Sequence, residues 1–298
     1  MTVKGPSGRR DAAGGCLDGL AARILESVMP ATDRTRAFHL LHQSGCFVIP
    51  NPWDRGSARL LAQLGFRALA TTSSGFAWSM GRPDNGVMLN QALAHFRGLA
   101  ATVDIPVSAD FEHGFADRPA QVAENVTAAA RTGIAGLSIE DSTGDAATPL
   151  YAFDLAVERI RSARAAIDAS GTDVLLTARS EGFVVGRPDI AETIRRLTAY
   201  AAAGADCLFA PGIRTVADIG AVVHAVAPKP VNVLVGGDWT TVPKLAELGV
   251  RRISTGGALA RAAWAGFLGA AREIATQGTF AGLAKAVQQS GDLNRAFS

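Results

Sequence analysis

Short apolar, β-branched runs recur along the chain, separated by longer Ala/Leu/Arg-rich stretches of helical period. The runs are Cys46–Ile49, Ala68–Thr72, Ile105–Ala109, Gly136–Ile139, Val174–Ala178, Cys207–Ala210, Val231–Val235 and Arg252–Ser254. They are continuously apolar rather than alternating, as strands covered on both faces are. Helical periodicity falls near 56–64, 88–103, 118–132, 153–169, 189–203, 215–226, 241–248 and 257–276. Asp117 before Pro119, Asp154, and Asp189 after Pro188 read as helix starts. A glycine phrase closes several helices: LGF at 64–66, TGI at 132–134, AGA at 203–205 and LGV at 248–250. Glycine there supplies the left-handed residue that ends a helix.

Eight strand–helix units predict an α/β fold, a closed (β/α)₈ barrel. The rival, an open doubly wound sheet, calls for a G-x-G-x-x-G turn after the first strand. VIPNPWDRGSAR does not supply it, and a nucleotide-dependent oxidoreductase loses its fingerprint with it. Residues 1–33 read as an N-terminal arm, 34–278 as the barrel, and 279–298 as a C-terminal helix and tail.

Composition narrows the picture. The chain has 298 residues, 48% of them hydrophobic and 19% charged, which is enough for a large core. A net charge of +2 offers no field for nucleic acid. Three sparse cysteines, Cys16, Cys46 and Cys207, form no disulfide framework and suit a reducing cytoplasm. Asp18, Arg23 and Glu26 interrupt the one candidate leader, and no apolar stretch is long enough for a membrane span.

Barrel chemistry sits just beyond the C-terminal ends of the strands. There the sequence places Asn51-Pro-Trp53-Asp54, Ser73-Ser74-Gly75 followed by Asp84, Asp110-Phe-Glu112-His113, Glu140-Asp141-Ser142 and Arg179-Ser-Glu181. Asp110 and Glu112, two apart on an extended segment, point the same way, and Glu140 arrives on the adjacent strand. Three converging carboxylates suit a hard cation, Mg²⁺ or Mn²⁺. Otherwise these acids cap helices or pair with Arg179. Arg179 is either a clamp for a substrate carboxylate or an ion-pair partner of Glu181 or Glu140. Ser74-Gly75 is either an anion cradle of backbone N–H groups or a plain tight turn. His113, a lone histidine, is left outside the site.

Five ordered segments carry a family likeness: NPWDRGSARLLAQLGFRALATTSSGFAWSMGRPD, VSADFEHGF, GIAGLSIEDS, TARSEGF and AYAAAGADCLFAPG. The chain resembles the isocitrate lyase and phosphoenolpyruvate mutase superfamily over residues 45–260. The resemblance implies a (β/α)₈ barrel, an oligomer, usually a tetramer, that exchanges a C-terminal helix, and a metal-dependent active site. By position it implies metal ligands at Asp110, Glu112 and Glu140, and a substrate-binding arginine at Arg179. It implies a carboxylate loop at Ser74 and Gly75, a catalytic aspartate at Asp84 and a substrate-side tryptophan at Trp53. The lyases it resembles carry a Lys-[Lys/Arg]-Cys-Gly-His loop after IED, and the mutases a Lys-x-Asn-Ser segment. Here the loop is STGDAATPLYAFD, with neither.

The expectation is a Mg²⁺-dependent enzyme that cleaves a C–C bond in a small 2-oxo or 2-hydroxy acid. C–P cleavage is the alternative, disfavoured because no second basic cluster for a phosphonate is visible. A degenerate, carboxylate-binding barrel is the third reading, supported by the missing loop residues.

Overall fold

The structure, a computed structural model, describes residues 1–2 and 31–298. The expected arm, residues 1–33, falls almost wholly outside the described residues, as does Cys16. All eight expected strands are present: β1 Phe47–Ile49, β2 Leu69–Ala70, β3 Val107–Asp110, β4 Gly136–Glu140, β5 Leu175–Arg179, β6 Cys207–Phe209, β7 Val231–Leu234 and β8 Arg252–Ser254. They are parallel, in the order β1-β8-β7-β6-β5-β4-β3-β2. The remaining seam, β1 to β2, is bridged by Ala70 N–H donating to Pro50 O at 3.1 Å, so the sheet closes into a (β/α)₈ barrel.

The helices, in chain order, are α1 Ala31–Gln43, α2 Arg55–Gln63, α3 Ser73–Ser79, α4 Leu89–Ala100, α5 Pro119–Ala130, α6 Phe153–Ser170, α7 Ile190–Ala202, α8 Val216–Val226, α9 Val242–Glu247, α10 Ala258–Gln277, α11 Ala281–Ser290 and α12 Leu293–Phe297. Gly65, Gly133, Gly204 and Gly249 hold φ values of 85°, 89°, 104° and 83°, as the glycine phrases required. Two helix starts differ from expectation. Arg118, not Asp117, is the N-cap of α5, with Pro119 at its first turn. Asp117 instead accepts the Tyr151 hydroxyl at 2.6 Å. Asp154 lies inside the first turn of α6, where its charge favours the helix dipole. Asp189 does cap α7, accepting from Glu192 N–H at 3.0 Å.

The main core lies between sheet and helices, built from residues such as Leu137, Ile139, Leu176, Val222 and Val233. Inside the barrel the chemistry changes. Ser108, Ser138, Thr177, Asn232, Arg252 and Ser254 are all buried there, where barrels usually pack Val, Ile and Leu. That polar lining is what leaves room for a site. No helix among the described residues is long and apolar enough to cross a membrane.

The end of the chain departs from compact packing. In α10 only Ala260 is buried, although the helix is rich in Ala, Leu and aromatic residues. Helix α11 buries nothing, while α12 returns to α2: Arg59 and Gln63 donate to the carbonyls of Phe297 and Ala296 at 2.8 and 2.6 Å.

Candidate active site

A cleft of about 170 Å³ opens at the C-terminal ends of the strands. Arg179, the last residue of β5, organises its acidic wall. Its Nε donates to Glu181 at 2.8 Å, one terminal nitrogen donates to Asp110 at 2.6 Å, and the other lies 3.1 Å from Glu140. Register explains the meeting: Glu140 pairs directly with Arg179 across β4 and β5, and Asp110 ends the next strand over. A guanidinium has five donors in a planar fork, so one side chain spans all three acids and keeps donors in reserve.

Asp110 is held from behind as well. Thr71 Oγ1 accepts from its backbone N–H at 2.8 Å, and its own Oδ2 accepts from Ser73 N–H at 2.9 Å. The end of β5 is anchored through Asp141, which is buried and accepts from Glu181 N–H (2.7 Å), Tyr200 Oη (2.7 Å) and Arg196 (3.1 Å).

Acids outnumber cations at this mouth, and proton affinities respond. Burial pushes Glu112 up to about 8, with Asp110 and Asp84 adding to the effect. Burial also raises Glu140 well above the carboxylate range, although Arg179 pulls the other way. Asp84 rises through burial and the charge of Asp110. Burial opposes the charge on Arg179, but Glu181, Glu140 and Asp110 outweigh it and lift its pKa.

Asp84, Ser74, Asp110 and Arg179 line the cleft together. The other expected residues stand around it. Glu140 sits behind Arg179. Strand β3 stops at Asp110, and Glu112 follows in a turn at φ 47°, so the extended segment that would align the two acids is absent. Glu112 faces a small neighbouring pocket with His95 and Phe96. Gly75 N–H donates to Thr72 Oγ1 at 3.3 Å, the N-cap of α3. A Cβ on Gly75 would come within 2.7 Å of Thr72 and 3.0 Å of Trp53, so this glycine permits close packing beside Trp53. Among the described residues no group of three His, Cys, Asp or Glu side chains stands arranged to hold a metal ion.

Two residues, Asn51 and Arg252, were given no role by the sequence reading, whereas the Arg179–Glu181 ion pair it offered is present. Asn51 ties the mouth together, donating to Thr71 O at 2.8 Å and accepting from Thr255 and Gly256 N–H at 2.8 Å each. Glu181 completes the acid set around Arg179. Arg252 lines the cleft from β8, and its signal was available: an arginine opening an otherwise apolar strand. Its presence removes the argument that the site lacks a second basic group.

The loop after β4 is tied to itself. Thr143 Oγ1 donates to Thr148 O at 2.6 Å, Thr148 Oγ1 to Asp145 at 3.0 Å, and Ser142 bridges to Leu150. None of these hydroxyls lines the cleft.

A closed parallel barrel with acids and an arginine gathered at its strand ends is the arrangement of a (β/α)₈ enzyme, and that mouth is the candidate active site. The chain belongs to the phosphoenolpyruvate phosphomutase family, whose description matches residues 38–275. A candidate lyase/mutase from Burkholderia cenocepacia J2315 superposes with a TM-score of 0.87 at 50% identity, over 90% of this chain and 97% of that one. The oxaloacetate decarboxylase of Paraburkholderia xenovorans is 30% identical over 232 residues, 75% of each chain. Oxaloacetate acetylhydrolase bound to its product oxalate superposes at 26% identity with a TM-score of 0.76, over 84% of this chain and 89% of that one. The resemblance drawn from the five motifs therefore holds, and the protein is an enzyme of lyase-like type.

Proposed function

We propose that the protein cleaves a C–C bond next to the carbonyl or hydroxyl carbon of a small 2-oxo or 2-hydroxy acid, with Mg²⁺ or Mn²⁺ as cofactor. One observation carries this reading: Asp84, Asp110, Glu112, Glu140 and Glu181 crowd one mouth around a single guanidinium, and burial and mutual repulsion raise four of them. Such an excess of negative charge favours a cation.

The donor set suits the ion. It is all oxygen, which hard divalent cations prefer. Asp110 and Glu140 spend part of their capacity on Arg179, so the three acids do not form a ready cage. Mg²⁺ does not need one, because it commonly keeps several waters and binds through one or two carboxylates. Asp110, with Glu112 and Glu140, would hold it. A divalent ion bound there neutralises negative charge as it develops on the substrate oxygen.

The chain's own groups do the rest. Arg179 offers its remaining N–H donors to the substrate carboxylate and is locked in orientation by three acids. Ser74 lines the cleft on the carboxylate side, with Trp53 packed beside the neighbouring Gly75. Asp84, whose proton affinity burial and the charge of Asp110 raise, is the side chain in the cleft that we assign to proton transfer. The cysteine-free loop directs the reading toward decarboxylation or hydrolytic cleavage, which need less proton delivery than aldol-type lyases. The oxaloacetate-cleaving relatives favour C–C over C–P chemistry.

A panel of oxaloacetate, other oxo acids, malate-type acids and phosphonopyruvate, assayed with and without Mg²⁺, tests the proposal. Metal-dependent turnover of an oxo or hydroxy acid is expected. Turnover of phosphonopyruvate alone would overturn the C–C assignment, and binding without turnover of any member would mark a degenerate barrel.

A further inference from the structure

Arg252 opens β8, and its side chain turns into the barrel. It is 5% exposed, yet among the described residues no carboxylate stands against it. Its Nε donates to Asn232 Oδ1 at 2.9 Å, and one terminal nitrogen lies 3.3 Å from His42 Nε2. Among the described residues the other terminal nitrogen has no partner. His42 is no counterion either: burial and the adjacent Arg252 hold it neutral down to about pH 3, so it serves only as a hydrogen-bond partner. A buried cation without a counterion is costly, and a permanent charge is not needed merely to tether Asn232 and His42.

The cleft reaches this cation. Arg252, Asn232, Ser254 and Ser138 line the floor of the same space whose mouth holds Asp84 and Arg179. Asn232 is itself fixed, donating to Ser254 Oγ at 2.9 Å, so its oxygen holds the guanidinium in one orientation.

Strand register relates the two arginines. Arg179 pairs with Phe209, Phe209 with Asn232, and Asn232 with Arg252. All four therefore point inward on one row. Arg179 ends its strand while Arg252 begins its own, so the row descends into the barrel. Three steps of about 4.8 Å at the usual tilt lower it by roughly 8–10 Å.

We propose that Arg252, set by Asn232, is a second anion subsite on the cleft floor, receiving a carboxylate at the opposite end of the substrate from the one that meets Arg179. This rests on the carboxylic-acid reading above and narrows it to acids with two anionic ends.

Calorimetric titration in Mg²⁺ buffer tests it, with pyruvate as the single-carboxylate probe, malonate and succinate as two-ended probes, and bicarbonate as a free anion. The parent should bind at least one two-ended acid about 10-fold or more tighter than pyruvate. Arg252→Gln should erase that advantage and leave pyruvate affinity unchanged. Asn232→Asp, which supplies a counterion to an intact Arg252, should do the same and covers the case in which Arg252→Gln fails to fold. Retention of the two-ended preference in either folded variant would overturn the subsite. So would a parent that binds bicarbonate through Arg252 without favouring two-ended acids, since the floor then holds a free ion. A parent that binds pyruvate without favouring malonate or succinate removes the subsite but not the broader function. A parent that binds none of the acids removes both.

Discussion

Arg179 and Asp110 meet at 2.6 Å although 69 residues separate them, the last residues of β5 and β3 reaching across the intervening strand. Asp110 is thereby shared between a guanidinium and the Ser73 backbone. Arg179→Lys keeps the charge but replaces a planar fork with a point donor that cannot span three acids. Activity should fall by roughly 10²-fold or more, the usual cost of losing a preorganised electrostatic contact, while the circular dichroism spectrum is retained. Near-parental turnover in the lysine variant would show that the fork is not used.

Asp110→Ala should abolish stabilisation by Mg²⁺. The measurement is the rise in melting temperature on adding MgCl₂, compared with each variant's own metal-free baseline so that loss of the Arg179 pair cancels. If the variant gains as much as the parent, Asp110 does not hold the ion.

Thiol reagents should leave the enzyme active. Burial raises the Cys207 thiol, which lies within the barrel wall, and burial likewise raises that of Cys46, ahead of β1. Raised thiols are poor nucleophiles at neutral pH. With Thr143 and Thr148 bonded within their own loop, cleavage of isocitrate and methylisocitrate should be negligible. Glyoxylate release from isocitrate at ordinary enzymatic rates, roughly 1–10³ s⁻¹, would identify a replacement acid in that loop.

Helix α10 exposes Trp264, Phe267 and Leu268, Phe267 at 60%, and α11 exposes Leu283 and Val287. Exposed apolar side chains of this kind suit a subunit interface. We expect an oligomer in sedimentation at micromolar concentration, and loss of the assembly when Phe267→Glu and Leu268→Glu are introduced together. A monomeric parent would show that the face has another use.

His42 should make the fold acid-sensitive. Its pKa is lowered from 6.5 to about 3, first by burial and then by Arg252. The unfolded chain therefore takes up a proton where the folded one does not. The contribution is fully present above pH 6.5 and is lost progressively as pH falls toward 3. His42→Gln should flatten denaturant midpoints measured between pH 7 and pH 4. An unchanged slope would place the acid sensitivity elsewhere.

Much of the architecture was legible because it depends on local chemistry. Each strand announced itself as a short apolar run, and four helix ends were marked by glycines that do adopt positive φ. Asp189 capped α7 as its position after Pro188 suggested, whereas Asp117 did not cap α5, because the Tyr151 hydroxyl competes for the same carboxylate from a different loop. That competitor lies 34 residues away and leaves no trace in local spacing.

At the site the same division holds. The types and order of Asp110, Glu140 and Arg179 followed from the sequence alone, since strand ends in a barrel converge whatever their side chains. Their partners did not. The turn that begins after Asp110 decided that Glu112 reaches Asp110 from a neighbouring pocket and not along one extended strand, and the stagger of eight tilted strands decided that Arg252, at the start of β8, looks into the cleft that Arg179 borders from the end of β5. Periodicity determines which face a residue occupies. Only barrel closure, which sets strand stagger over the whole ring, determines how deep that residue lies and which charge it meets.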